Sequence, residues 1–334
     1  MRHILSIYAA RNIGTLLVGS LAPLAWSQQL PTACTEPCVI VGPQSGPNFL
    51  DIALLRWYTA NQTASFKVGM NPNGLAFDGA NMWVVNYASD NVMKLAASDG
   101  ALLGTFSVGT NPYAAAFDGA NMWVVNYVSN TVTKLRASDG ALLGTYNVGT
   151  APRSVAFDGA NMWVVNYTSN NVTKLRASDG AVLGTFNVGI NPRDVAFDGA
   201  NVWVVNDGSN NVMKLRTSDG AVLATLNVGA NTGLAFDGAS MWVASDETNA
   251  VMKLRISDGA VLGTFRVGTH PLSIAFDGNN VWVTNSGSNT VTKLQVSDGT
   301  VLGTFSVGNF PFAVAFDGAN VWVTNSNSGT VSKM

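Results

Sequence analysis

Short apolar runs separated by polar turn clusters recur along most of this chain. In the stretch 148–187, Ser154-Val155-Ala156-Phe157, Met162-Trp163-Val164-Val165-Asn166, Val172-Thr173-Lys174-Leu175-Arg176 and Val182-Leu183-Gly184-Thr185-Phe186 are rich in β-branched and aromatic residues. Each reads as a strand. Between them lie Asp158-Gly159, Thr168-Ser169-Asn170-Asn171 and Asp179-Gly180, and Asp-Gly tolerates the positive φ angles of a tight hairpin turn. No apolar pattern at helical spacing lasts long enough to compete with this reading.

The four-run unit repeats. Its Val-Gly pair falls at Val68, Val108, Val148, Val188, Val228, Val267 and Val307, a spacing of 40 with one step of 39. The Phe-Asp-Gly aspartate keeps the same beat at Asp78, Asp118, Asp158, Asp198, Asp237, Asp277 and Asp317, and so does a tryptophan from Trp83 to Trp322. Four antiparallel strands per 40 residues, repeated radially, make a β-propeller blade. The last copy stops at Met334, near the end of its third strand, and residues 56–67 align with the strand it lacks. The expected fold is therefore all-β: a seven-bladed propeller of four-stranded antiparallel blades over 56–334, its ring closed by the N-terminal strand. A closed ring also removes the sheet edges that invite pairing with other chains.

The runs Trp282-Val283-Thr284-Asn285 and Trp322-Val323-Thr324-Asn325, each followed by Ser-x-Ser-x-Thr-Val, resemble those of the YVTN-repeat β-propeller family, with tryptophan in the tyrosine slot. Five copies depart from it, with Val or Ala where that motif has Thr. The resemblance implies an extracytoplasmic propeller with a binding role. The architecture is similar to that of NHL-type propellers, lactonases and streptogramin lyases, in which metal ligands or histidine bases do the chemistry.

Ahead of the repeats, Arg2, His3 and Arg11 precede the apolar run Ile13 to Ala25, and Ala25-Trp26-Ser27 offers small residues around a cut. That is the plan of a signal peptide over 1–27, and the run is too short to span a bilayer of about 30 Å. Export to the periplasm, the cell surface or the medium is expected, with no transmembrane segment in the mature chain. Cys34 and Cys38 are the only cysteines. In an exported chain a close pair is expected to oxidise to a small structural loop, although a redox pair or metal clip uses the same residue type. Residues 28–55 otherwise read as a linker.

Charge narrows the partners. Only 11% of residues are charged and the net charge is −2. Lysines from Lys94 to Lys333 fall once per blade on the third strand, so they form no basic groove of the kind that nucleic acid requires.

Positions identical in every copy read as scaffold, and the tryptophans and the Asp-Gly aspartates belong to it. Copies differ in the loop after Val-Gly and in the loop after the tryptophan strand, which in a propeller emerge on one face around the channel mouth. Loops held on a rigid scaffold are where sites are built. Tyr113, Arg153, Arg193, Asp194, Asp207, Asp246 and His270 are the candidate ligand-binding residues, with tyrosine and arginine on blades one to four and the acidic residues and His270 on blades four to six. Asp207, Asp246 and Glu247 supply oxygen ligands of the type that hold Ca²⁺. The expected function is an exported binding or scaffold protein that presents this face to a small molecule, glycan or protein. The alternatives are a hydrolase or lyase, in which Asp207 or Asp246 and His270 form a base and its orienting partner, and a structural envelope or surface-layer component.

Overall fold

A computed structural model describes residues 63–229 and 232–334. The leader, Cys34, Cys38, the linker and the first part of the closing segment lie outside the described residues. Seven four-stranded antiparallel sheets are arranged in sequence order: blades 1 to 6 over 72–107, 112–147, 152–187, 192–227, 233–266 and 271–306, and blade 7 from 311–333 together with 64–67. The closing strand Ala64–Lys67 pairs with Thr330–Lys333, Phe66 opposite Val331. Phe66 then stacks on Trp322, with ring centroids 5.6 Å apart.

Each blade grades outward from a dry centre to a wet rim. In blade 3 the second strand, Asn161–Asn166, is buried along nearly its whole length, whereas the outer strand Val182–Asn187 alternates exposed and half-buried positions. The strand period of two divides the second strand between two cores. Met162 and Val164 pack towards blade 2 against Trp123 and Val125, while Trp163 and Val165 pack towards blade 4 against Val202 and Val204. Every blade is thus cemented to both neighbours, and six of the seven repeat tryptophans are fully buried, with Trp282 8% exposed.

The invariant residues form one clamp per blade. Asp158 Oδ1 accepts from the backbone N–H groups of Ala160 and Asn161 at 2.9 and 2.7 Å, and Oδ2 accepts from Trp163 Nε1 at 2.7 Å. Gly159 supplies the φ of +96° that the turn demands. Lys134 lies 4.9 Å from the centre of the Trp123 ring and reaches into blade 3, where its Nζ donates to the carbonyl of Ala177 at 2.6 Å. The same bridge to the next blade is made by Lys94, Lys174, Lys214, Lys253 and Lys333. The lysine row is therefore largely withdrawn from the surface and serves as inter-blade staples. The glycine of the Val-Gly pair has its own reason: a Cβ at Gly149 would lie 2.6 Å from Asn166 Cγ, the buried asparagine that ends the tryptophan strand.

Candidate functional site

Bulges in the inner strands aim side chains at the channel. In blades 1 to 4 the pairing slips between Pro72 and Gly74, Pro112 and Ala114, Pro152 and Ser154, and Pro192 and Asp194. One residue per blade is left out of the ladder, and a bulge re-aims the side chain it carries. Those residues are Asn73, Tyr113, Arg153 and Arg193, four of the variable positions. In blades 6 and 7 the slip is again one residue, but the unpaired stretch is longer, from Pro271 to Ile274 and from Pro311 to Val314. There Thr284 and Thr324 accept from the freed N–H groups of Ser273 and Ala313 at 3.0 and 2.8 Å. The Thr that five copies lack is thus the partner that a wider bulge needs. Blade 5, one residue shorter, pairs Gly233 with Ala244 and Leu234 with Val243 without a bulge.

These strands surround a cavity of about 230 Å³ on the channel axis. Its lining falls into three tiers along each inner strand: the bulged residues, then small ones such as Gly74, Ser154 and Ser273 together with Asp194, then an apolar floor that includes Leu75, Val155 and Ile274.

One side of the mouth is aromatic. Tyr113 is its hub, with Tyr87 edge-on at 6.0 Å, Tyr127 at 5.9 Å and Phe312 at 5.6 Å between ring centroids. Arg153 slots between two of these rings, 4.9 Å from the Tyr113 centroid and 4.6 Å from that of Tyr167, and its Nη2 donates to Tyr113 Oη at 2.8 Å. Burial, then the neighbouring phenols of Tyr127 and Tyr113, push the Tyr87 hydroxyl pKa up against the opposing pull of Arg153. Among the described residues no carboxylate forms an ion pair with Arg153.

The other side is acidic but largely self-neutralised. Arg193 Nη1 lies 3.3 Å from Asp207 Oδ2 and 3.8 Å from Asp246 Oδ2. Asp194 turns away from that cluster into the second tier of the cavity. Its Oδ1 accepts from Ser154 Oγ at 2.7 Å and from Val195 N–H at 2.9 Å, and its Oδ2 accepts from Leu234 N–H at 2.8 Å. One carboxylate therefore ties blades 3, 4 and 5 together. Burial pushes its pKa above the ordinary carboxylate value, opposed by the hydrogen bonds from Ser154, Leu234 and Val195 and by the charge of Arg193. Asp194 is half-buried and lines the cavity.

Asp207, Asp246 and Glu247, the candidate Ca²⁺ ligands, do not form one cluster. The two aspartates converge on a guanidinium, Glu247 is exposed, and among the described residues no group of three or more His, Cys, Asp or Glu side chains is placed to hold a metal. His270 does not join the aspartates either. It occupies the left-handed slot, with φ of 51°, that asparagine fills as Asn71, Asn111 and Asn191. Its N–H donates to Asn249 Oδ1 at 2.8 Å, while its exposed imidazole makes no hydrogen bond among the described residues. Tyr113, Arg153, Arg193 and Asp194 do come together on the cavity. Ser154 and Phe312 join them, with Tyr167 against Arg153, and Ser154 and Ser273 are the two hydroxyls found when the second residue after each proline is compared across copies.

No family model matches the chain, and no curated protein matches it. Solved structures of similar shape do. A streptogramin B lyase superimposes with a TM-score of 0.71 at 18% identity, covering 81% of this chain and 96% of that one. Virginiamycin B lyase from Staphylococcus aureus gives 0.70 at 15% identity, covering 81% and 98%. Kuenenia stuttgartiensis hydrazine synthase gives 0.67 at 18% identity, covering 80% and 97%. At these identities the likeness is one of fold, the β-propeller.

Proposed function

We propose that this propeller, of the YVTN-repeat type and exported, is a binding protein whose site is the channel mouth between blades 2 and 4 and whose ligand is a small anionic molecule. The observation that carries the reading is Arg153. It is a substantially buried guanidinium held between Tyr113 and Tyr167 with no carboxylate paired to it, next to Arg193, which has two. A withdrawn charge without a counter-charge is costly unless something neutralises it. Planar guanidinium donors suit a carboxylate or phosphate group, and the surrounding rings suit an apolar or sugar-like body.

The test is calorimetric titration of the mature protein with small carboxylates, phosphates and acidic sugars, repeated on Arg153→Met. Binding that is lost in the variant while its melting curve is kept supports the site; equal binding by both proteins removes it. Mass analysis of the exported chain checks cleavage after residue 27 and the expected bond between Cys34 and Cys38.

Asp194 favours a second reading, as a lyase or hydrolase. A carboxyl group whose pKa burial has raised, facing a walled cavity, has the properties of a general acid or base, and two of the similar structures are lyases. Conversion of virginiamycin B by the wild type and not by Asp194→Asn would establish it. No turnover by either protein leaves the binding reading alone.

A further inference from the structure

Resting on that binding site, a second charge in the same cavity specifies the ligand further. Five charged side chains sit at the mouth and in the tier below it on blades 3 to 5: Arg153, Arg193, Asp194, Asp207 and Asp246. Arg193 is paired with both Asp207 and Asp246. Arg153 and Asp194 remain, opposite in sign, and the contacts of each hold it away from the other. The bulge at Arg153 sends its guanidinium up between the rings of Tyr113 and Tyr167. Asp194 is pulled down and across by Ser154 Oγ and by Leu234 N–H of blade 5. Ser154 follows Arg153 in the chain, so the two charges lie on adjoining positions of one wall, yet no ion pair joins them.

An ionised carboxylate has about four lone-pair positions for donors. Asp194 uses three, for Ser154, Val195 and Leu234, and one on Oδ2 is left beside the cavity. We propose that the ligand is a compact amphoteric molecule, its anionic group on Arg153 and a protonated amine on Asp194. Its short aliphatic spacer rests on the apolar tier of Val155 and Leu75. A molecule with one charge would neutralise one buried group and leave the other uncompensated. A zwitterion of the right length neutralises both at once.

The experiment is calorimetric titration with a length series, 3-aminopropanoate to 6-aminohexanoate, each set against the matched monocarboxylate and the matched alkylamine. One member of the series is expected to bind at least about tenfold more tightly than both of its monofunctional analogues. Asp194→Asn is expected to erase that advantage, so that each amino acid binds no more tightly than its matched monocarboxylate; Arg153→Met is expected to lose binding of both. Because Asp194 ties three blades together, the same loss is also read on the unsubstituted protein. Its charged neighbour Arg193 keeps its charge, so lowering the pH through the raised pKa of Asp194 protonates that group and narrows the advantage. Monocarboxylates binding as tightly as the amino acids, or an advantage that persists in Asp194→Asn, would overturn the amphoteric assignment while leaving the anion site standing. Absence of Arg153-dependent binding by every probe would overturn both.

Discussion

Asp158 and Asp179 pose a sharp test, because each is the aspartate of an Asp-Gly turn in the same blade. Replacing Asp158 with alanine removes the acceptor of Trp163 Nε1 and of two backbone N–H groups, those of Ala160 and Asn161. Trp163 is fully buried, so its indole N–H is left with no partner. An orphaned buried donor costs about 1–3 kcal/mol, and the two backbone bonds to a charged acceptor, nearer the surface, add about 1–2 kcal/mol together. The expected loss is about 2–5 kcal/mol, a sizeable part of the stability of an ordinary domain. At about 2 °C per kcal/mol for a chain of this size, the melting temperature should fall by about 4–10 °C. Asp179 also accepts a turn N–H, from Ala181, but its other contact is a surface pair with Arg176, and about half of each of those side chains is exposed. Asp179→Ala should stay within the scatter of surface substitutions. Urea unfolding followed by tryptophan fluorescence reads both variants. Equal shifts for the two aspartates, or a loss below about 1 kcal/mol for Asp158→Ala, would refute the claim that the indole clamp, and not the turn alone, holds the blades.

The same clamps set the response to acid. Burial pushes Asp78, Asp118, Asp158, Asp198, Asp277 and Asp317 up, but the hydrogen bonds from tryptophan and backbone, joined by an asparagine side chain in every case but Asp198, where the charge of Lys214 joins them, outweigh it and hold each pKa below the ordinary carboxylate value. A depressed folded pKa contributes stability above the unfolded value and loses it as pH falls through the folded one, so the midpoint of urea unfolding should drop steeply below about pH 4. Asp194 has the opposite sign. With its folded pKa raised, it costs stability as pH rises, so the difference between Asp194→Asn and wild type should move in favour of the variant as pH rises above about 4. A flat difference would contradict its burial as a charge. Lys134→Met removes the staple to Ala177 and should cost about 1–3 kcal/mol by leaving a buried carbonyl unpaired, measured by the same denaturation. Thr324→Val should cost a similar amount, although valine is native at the matching position of blades 1 to 4, because it strips the acceptor from Ala313 N–H in the wider bulge.

The propeller could be read from the chain because seven near-copies supply their own alignment: the period, the four apolar runs and the incomplete last unit all pointed to one closed ring. The lysines show where that reading stops. Spacing alone placed them one per blade and spread round the ring, which disposed of a basic groove, but whether each ammonium faces water or a neighbour's carbonyl depends on how blades stack, and no single copy encodes that. The site divides in the same way. Comparing copies located the mouth and put Tyr113, Arg153, Arg193 and Asp194 on it. It grouped Asp207 and Asp246 with His270 because they share a face, whereas the structure spends both aspartates on Arg193 and leaves His270 in an exposed backbone slot. Proximity within a face follows from topology; partnership across blades follows from bulge width and strand length, which change from Pro152 to Thr232 to Pro271.

That division has a physical basis. The residues that hold one blade to the next, the Asp-Trp clamp and the lysine staple, lie on the second and third strands and carry the packing energy. The inner strand's bulged residue carries little of it, so asparagine, tyrosine, arginine, leucine and phenylalanine all occur there in the same scaffold. Each substitution is met locally: Arg193 by two carboxylates, Tyr113 by three rings, the shortened blade 5 by Asp194 on Leu234 N–H and by Thr232 Oγ1 on the carbonyl of Pro271 at 2.7 Å. Arg153 is met only by the faces and one hydroxyl of tyrosines, which stabilise a cation without cancelling its charge. Among side chains so consistently compensated, a guanidinium with no paired carboxylate, in the same cavity as a carboxylate held by hydrogen bonds and by no ion pair, marks the place where the proposed ligand would supply the compensation.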